Sequence, residues 1–264
     1  MSNLLKRSLS GIIYVLLFLS SILYSKESYI ILTTFFGLTC VWEFSKLIKF
    51  KSLIGYIFYC LTLFLLLKRP DSYAVIGILG ISIISSIFLI YSLFAKKEIT
   101  FSNDRAKSGL LVRYDTFSMI FLTVLPIYKR GYNPNLIIAI LIMIWVNDSF
   151  AFLVGKNFGK TKLFVSVSPK KTIEGFIGGV VFALLASFII SKFNNDFTLV
   201  NWLIIAFIVS VIGTIGDLVE SKFKRQANIK DSGNIMPGHG GMLDRLDSLL
   251  FAAPFVYLYI NFII

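Results

Sequence analysis

The sequence predicts an all-α, polytopic integral membrane protein of about nine transmembrane helices with a cytoplasmic N-terminus. Three observations lead there. Of the 264 residues, 56% are hydrophobic and the mean hydropathy is +0.81, above the usual range of soluble domains. The apolar residues fall in blocks long enough to cross a hydrocarbon layer about 30 Å thick. The alternation expected of barrel strands is absent, and an isolated span in lipid must satisfy its own backbone hydrogen bonds, which selects helices.

The first block, 9–25, follows Lys6 and Arg7. Its basic start and apolar middle resemble a secretory leader, but no small-residue cleavage site follows cleanly, so it is read as the first span. Blocks 28–45 and 52–67 come next, the latter short and closed by Lys68-Arg69-Pro70. Block 72–95 is uninterrupted, whereas 108–128 carries Arg113 and Asp115 inside its apolar run. Blocks 135–154, 173–191, 199–219 and 246–264 complete the set. No soluble domain or internal repeat stands out, so 1–264 is read as a single integral membrane domain. Within it, 1–130 holds N-terminal helices with short connections, and 131–264 holds two polar segments, 155–172 and 220–245.

The net charge of +12 does not point to nucleic acid, because its distribution follows the membrane. With nine alternating spans, one face receives the N-terminus and the loops after spans two, four, six and eight. That face collects most of the basic residues, leaving Lys26, Lys68, Arg69, Lys129, Arg130 and Lys192 for the other. By the positive-inside rule the rich face is cytoplasmic and the C-terminus lies outside. A bilayer, with its anionic headgroups, is the expected environment. Cys40 and Cys60 fall in spans, without metal-ligand spacing, and behave as small apolar residues.

Chemistry concentrates in the second half. Asp148, in Trp145-Val146-Asn147-Asp148-Ser149, sits deep in an apolar run, where an ionised carboxylate costs about 2.5 kcal/mol or more, so a cavity, cation or basic partner is expected beside it. Ser168-Pro169-Lys170-Lys171-Thr172-Ile173-Glu174-Gly175 precedes span seven. There Ser168 or Thr172 can cap the helix, Pro169 suits a turn or helix start, and two lysines at a helix N-terminus make an anion site. An ordinary basic membrane boundary would explain the lysines equally well.

Span eight ends in Gly213-Thr214-Ile215-Gly216-Asp217-Leu218-Val219-Glu220-Ser221-Lys222-Phe223-Lys224-Arg225. Asp217, Glu220, Ser221 and Lys224 share one helical face, suited to holding a hard cation and an anionic ligand together. The following loop carries Lys230 and Asp231, then the only histidine, His239, among Gly238, Gly240 and Gly241, whose backbone can approach a phosphate closely. Asp244 and Asp247, three residues apart, can offer oxygen ligands to Mg²⁺ from one face. Carboxylates beside clustered lysines and arginines suggest phosphoryl or nucleotidyl transfer. No Walker A, Rossmann or zinc pattern appears.

The run SKFKRQANIKDSGNIMPGHGGMLDRLD, residues 221–247, resembles the signature of the phosphatidate cytidylyltransferases, or CDP-diglyceride synthases. The agreement rests on Ser221, Phe223, Lys224, Arg225, Lys230, Asp231, Gly233, Pro237, His239, Gly240, Gly241, Met242, Asp244, Arg245, Leu246 and Asp247, with Met236 where the family usually has Leu, Ile or Phe. Upstream, Asn147-Asp148-Ser149 and Ser168–Gly175 are similar to two further family segments. There Phe150, Phe152 and Ile173 replace a small residue, a Tyr and a Trp. The first half matches only in its hydrophobic character.

The resemblance implies that the phosphate of phosphatidic acid attacks the α-phosphorus of CTP, giving CDP-diacylglycerol and pyrophosphate, with Mg²⁺ as cofactor, alone or with a second cation. It implies Asp217 and Asp244 as metal ligands, with Asp247 close behind. It assigns phosphates to Lys224, Arg225, Lys230 and Arg245, with Lys170 and Lys171, and an orienting role to Ser221, Asp231 and His239. Asp148, Thr172, Gly240 and Gly241 complete the substrate contacts. A multi-pass enzyme of the plasma membrane follows, with its site facing the cytoplasm; a homodimer is compatible with it. Two other readings stand beside this one. Another CTP-dependent lipid transferase, acting on an isoprenoid or ether lipid, would use similar chemistry. A cation-coupled transporter could line its path with Asp148 and Asp217, although the charges gather at one face rather than at midplane.

Overall fold

A computed structural model describes residues 3–101, 103–128 and 131–264; the side chains of 3–8 and 128 are not among those described. The side chains of Lys6 and Arg7, and residues Lys129 and Arg130, all given a membrane side by the positive-inside rule, therefore lie outside the described residues. The chain is built on helices, in the order α1 (Asn3–Tyr24), α2 (Lys26–Leu47), α3 (Ile54–Lys68), α4 (Tyr73–Phe94), α5 (Asp104–Leu110), a π-helical turn (Leu111–Thr116) and α6 (Phe117–Val124). There follow α7 (Pro134–Phe158), α8 (Ile173–Phe193), α9 (Leu199–Gln226) and α10 (Leu243–Leu258), the last continued by a π turn over Tyr259–Ile263. Two short antiparallel hairpins interrupt the helices: β1 (Ile127–Tyr128) with β2 (Gly131–Tyr132), and β3 (Lys162–Phe164) with β4 (Ser168–Thr172).

Local sequence explains where the helices begin. Ser25 and Ser28 form a reciprocal capping box ahead of α2. Asn103, Asn133, Thr172 and Thr198 each accept a backbone N–H from the first turn of α5, α7, α8 and α9, and Pro134 starts α7 where its missing N–H costs nothing. At their other ends α2, α4 and α9 turn through Lys49, Lys96 and Asn228, all with positive φ. Lys107 Nζ donates to the Lys49 carbonyl at 3.2 Å, and Lys222 Nζ donates to the carbonyls of Ser92 and Lys97, so buried or half-buried lysines close the ends of α2 and α4.

Among the described residues, six helical segments are long and apolar enough to cross a membrane: Lys26–Leu47, Tyr73–Phe94, Pro134–Phe158, Ile173–Phe193, Leu199–Gln226 and Leu243–Ile263. The apolar parts of α1 (Leu9–Tyr24) and α3 are shorter. The fifth apolar block folds as α5, the π turn and α6 in succession, none of them long enough alone to count among those six. Arg113 and Asp115 sit in that π turn, a single-turn insertion between two helical stretches. The protein is thus an all-α, multi-pass membrane chain. α10 runs through its middle, with 67% of its apolar window buried against 22% for α8, whose outer face is exposed.

One local expectation is corrected. Pro169 lies in β4, not in a turn or helix start; β4 has a single partner strand, so its free edge tolerates a residue with no N–H to give.

Candidate active site

The polar ends of six helices meet. These are the N-terminal ends of α1, α8 and α10, the C-terminal ends of α2 and α9, and the C-terminal half of α7. α9 runs seven residues past the expected end of its span, so Asp217, Glu220, Ser221, Lys224 and Arg225 all stand on regular helix and the predicted polar face is intact.

Two lysines organise it. Lys171, at the end of β4, places Nζ 2.5 Å from Asp217 Oδ2, while Asp217 Oδ1 accepts the Ser221 hydroxyl at 3.2 Å. Lys224 places Nζ 2.5 Å from Glu220 Oε2 and 2.7 Å from Asp244 Oδ1, joining α9 to α10. Asp217 is close enough to Asp148 and to Asp247 for their charges to act on one another. Asn147, beside Asp148, donates to Asp148 Oδ1 at 3.2 Å and to Thr214 Oγ1 at 3.4 Å, tying α7 to α9. Tight glycine packing brings α7 and α8 together: a Cβ on Gly175 would meet the Ala151 carbonyl at 2.6 Å, and one on Gly179 would meet Asn147 Oδ1 at 2.7 Å. The Glu174 carboxylate, from the first turn of α8, accepts the N–H groups of Lys160 and Thr161, holding the loop ahead of β3.

Three cavities adjoin this cluster. One of about 410 Å³ is lined by Asp148, Lys170, Lys171, Thr172 and Asp217. Another, of about 250 Å³, mixes apolar walls from Val15, Leu141, Trp145 and Leu249 with Asp148, His239, Arg245 and Asp247. A third, of about 530 Å³, is lined by Lys230, Asp231, His239, Gly240 and Arg245. Asp148 belongs to the first two, and His239 and Arg245 to the last two, so the three adjoin in series.

The glycine-bearing loop is held from within. Asp244 Oδ2 accepts the N–H groups of Ser232 and Gly241 at 2.8 and 2.7 Å and the Ser232 hydroxyl at 3.0 Å. The Gly241 N–H, expected to face a phosphate, is therefore committed to a carboxylate. Arg245 donates to the His239 carbonyl at 2.7 Å, and the Ser10 hydroxyl of α1 lies 2.7 Å from His239 Nδ1 and donates to the Pro237 carbonyl at 2.9 Å. Arg225, expected on a phosphate, donates instead to the carbonyls of Val167 and Ile229.

Sequence reading missed Glu43, fully buried on α2 and bonded to the start of α10, and Ser232, which lies between it and Asp244. A lone carboxylate inside the second apolar block was the available signal.

Could these residues hold a cation? Among the described residues no three Asp, Glu, His or Cys side chains form a ready metal cage. Mg²⁺ does not need one, since it is commonly held by one or two carboxylates together with substrate phosphates. Asp148, Asp217, Glu220, Asp244 and Asp247 outnumber the two lysines among them, and Glu220 Oε1 is buried with no hydrogen-bond partner among the described residues. Such an oxygen-rich, net negative donor set fits a hard divalent cation.

Helices that cross a membrane, with carboxylates and lysines converging beside adjoining cavities at one end, define an integral membrane enzyme that transfers phosphoryl or nucleotidyl groups. A sequence profile of the cytidylyltransferase family matches residues 5–263, and the chain belongs to that family. It is 34% identical to the phosphatidate cytidylyltransferase of Bacillus subtilis, with 97% of each chain covered, and 34% identical to that of Staphylococcus haemolyticus, with 94% of this chain and 95% of the relative covered. The enzyme of the same name from Staphylococcus saprophyticus is 39% identical over 64% of each chain.

Proposed function

We propose that this chain is a phosphatidate cytidylyltransferase, joining CTP and phosphatidic acid into CDP-diacylglycerol and pyrophosphate at the cytoplasmic face of the plasma membrane. The observation that carries the reading is the Lys171–Asp217 pair, which is partly exposed and opens on a cavity rimmed by Lys170 and Thr172. A phosphate oxygen of phosphatidate would form the new bond to the α-phosphorus of CTP while the bond from that phosphorus to the bridging oxygen breaks and pyrophosphate leaves. The attacking phosphate is already an anion at neutral pH, so positioning and charge neutralisation suffice and no general base is required.

Lys170, Lys171, Lys230 and Arg245 line the cavities and would hold phosphate oxygens. Lys224 would keep Asp244 in place, and Arg225 would close the loop. Ser221 would steady Asp217, His239 would orient the loop facing two cavities, and Asp231 would border the third. Asp217 and Asp244 would hold Mg²⁺, with Asp247 on α10 and Asp148 on α7 supplying further carboxylate oxygen. When bound there, Mg²⁺ would offset the negative charge of the triphosphate. The whole chain would form one integral domain of nine spans with its N-terminus inside, residues 131–264 carrying the phosphate contacts. Basic residues at the site end of the helices support that orientation, including Lys46, Lys49, Lys96, Lys97 and Lys156.

The test is conversion of labelled phosphatidic acid by the pure chain in detergent with CTP and Mg²⁺. Formation of CDP-diacylglycerol with release of pyrophosphate is expected. Folded protein that makes no CDP-lipid rejects the reading.

A further inference from the structure

Glu43 stands near the C-terminal end of α2, in the half of the chain that carries none of the signature. Both of its oxygens face the start of α10. Oε1 accepts the Met242 N–H at 3.1 Å, while Oε2 accepts the Leu243 N–H at 2.8 Å and lies 3.3 Å from the Ser232 hydroxyl. The first N–H groups of a helix have no partner within it and carry partial positive charge, so a carboxylate there is stabilised and fixes where the helix begins. The neighbouring chain is shaped around it. A Cβ added to Gly233 or to Gly241 would run into the Glu43 carboxylate, which explains why these positions carry no side chain.

Ser232 extends the contact, because its hydroxyl lies within hydrogen-bond distance of both Glu43 Oε2 and Asp244 Oδ2. Asp244 and Asp247 follow Leu243 by one and four residues on α10. Any shift of Leu243 therefore moves both relative to Asp217 and Lys224 on α9. Glu43 lines none of the three cavities, and its contacts with the site run through the α10 backbone and Ser232.

We propose that Glu43 is a positioning residue for the transfer reaction: from α2 it clamps the start of α10 and so sets the spacing of the α10 carboxylates against the Asp217–Lys224 face of α9. The inference rests on the cytidylyl transfer proposed above, in which those carboxylates act. It places a requirement of the reaction in a helix that contributes no residue to the signature.

The experiment compares wild type, Glu43→Gln and Glu43→Asp as full chains in detergent. Each is assayed for kcat and for KM toward CTP and phosphatidate, with the melting temperature and amide hydrogen exchange of α10 measured on the same preparations. The Gln variant keeps the volume but sets an NH₂ against a backbone N–H. Its kcat should fall about tenfold to a hundredfold, the scale of a misplacement near 1 Å, with KM values within about threefold of wild type. Its melting temperature should stay close to wild type, while exchange at Met242 and Leu243 quickens and α9 stays protected. The Asp variant keeps the charge at shorter reach and should recover part of the rate.

Wild type that makes no CDP-lipid sinks the proposed function. Active wild type with a Glu43→Gln variant of unchanged kcat per folded molecule, or one whose loss follows melting alone, sinks the positioning role while leaving that function standing. If Glu43→Gln does not fold, Ser232→Ala decides: a smaller fall confined to kcat supports the proposal, and unchanged turnover overturns it.

Discussion

Lys171 and Lys224 both neutralise carboxylates at the same end of the bundle, yet their surroundings differ. The Lys171 and Asp217 side chains are each 30% accessible and border a cavity. In the other cluster Lys224 is 10% accessible, Glu220 0% and Asp244 4%. A partly wet pair can exchange partners: Lys171 can turn to a phosphate and leave Asp217 to a cation at little desolvation cost. A buried triad cannot, because withdrawing one member strands charge in a medium that solvates it poorly. The first pair is therefore suited to rearranging during the reaction, and the second to fixing Asp244 and the register of α9 against α10.

The largest effect should come from the buried cluster. Lys224→Met leaves Glu220 and Asp244 without a counter-ion and should lower stability by about 3–5 kcal/mol, with turnover lost as well. Thermal or denaturant unfolding in detergent measures it, and an unchanged midpoint would erase the distinction between the two lysines. Next comes Lys171→Met, expected to reduce kcat/KM about a hundredfold, as loss of one charge-stabilising donor does, with stability changed by less than about 1 kcal/mol. Steady-state kinetics beside the same unfolding assay would expose the opposite pattern, unfolding without a specific rate defect. Smallest is Arg225→Ala. It removes two hydrogen bonds to loop carbonyls and should cost about 1–3 kcal/mol at most, with activity lowered less than tenfold. A hundredfold loss would return Arg225 to the phosphates.

Much of this comparison was legible in the sequence. Three-, four- and seven-residue offsets from Asp217 placed its partners on one face, because helical periodicity is local. Thr172 was recognisable as a cap for the same reason, and the apolar blocks marked the helices. Asp115 signalled a break in the fifth block, but not that the chain would absorb it in a π turn. Glu43 was hidden for a different reason: its partners lie about 200 residues away in sequence, and no local pattern says which backbone N–H groups a buried carboxylate will meet. The Arg225 contact with Val167, 58 residues back, was concealed in the same way, whereas Asp244 takes the Gly241 N–H from only three residues on, a local bond that the phosphate reading of the glycine loop passed over. Residue types announced the chemistry, while tertiary packing decided which groups remained free to perform it.

The most direct test is Asp217→Asn, measured for turnover of CTP and phosphatidate and for melting temperature in one preparation. The account predicts a loss of turnover of about a hundredfold or more at an almost unchanged melting temperature. Near-normal turnover, or a loss matched by unfolding, would contradict the claim that the accessible Lys171–Asp217 pair is the reactive centre.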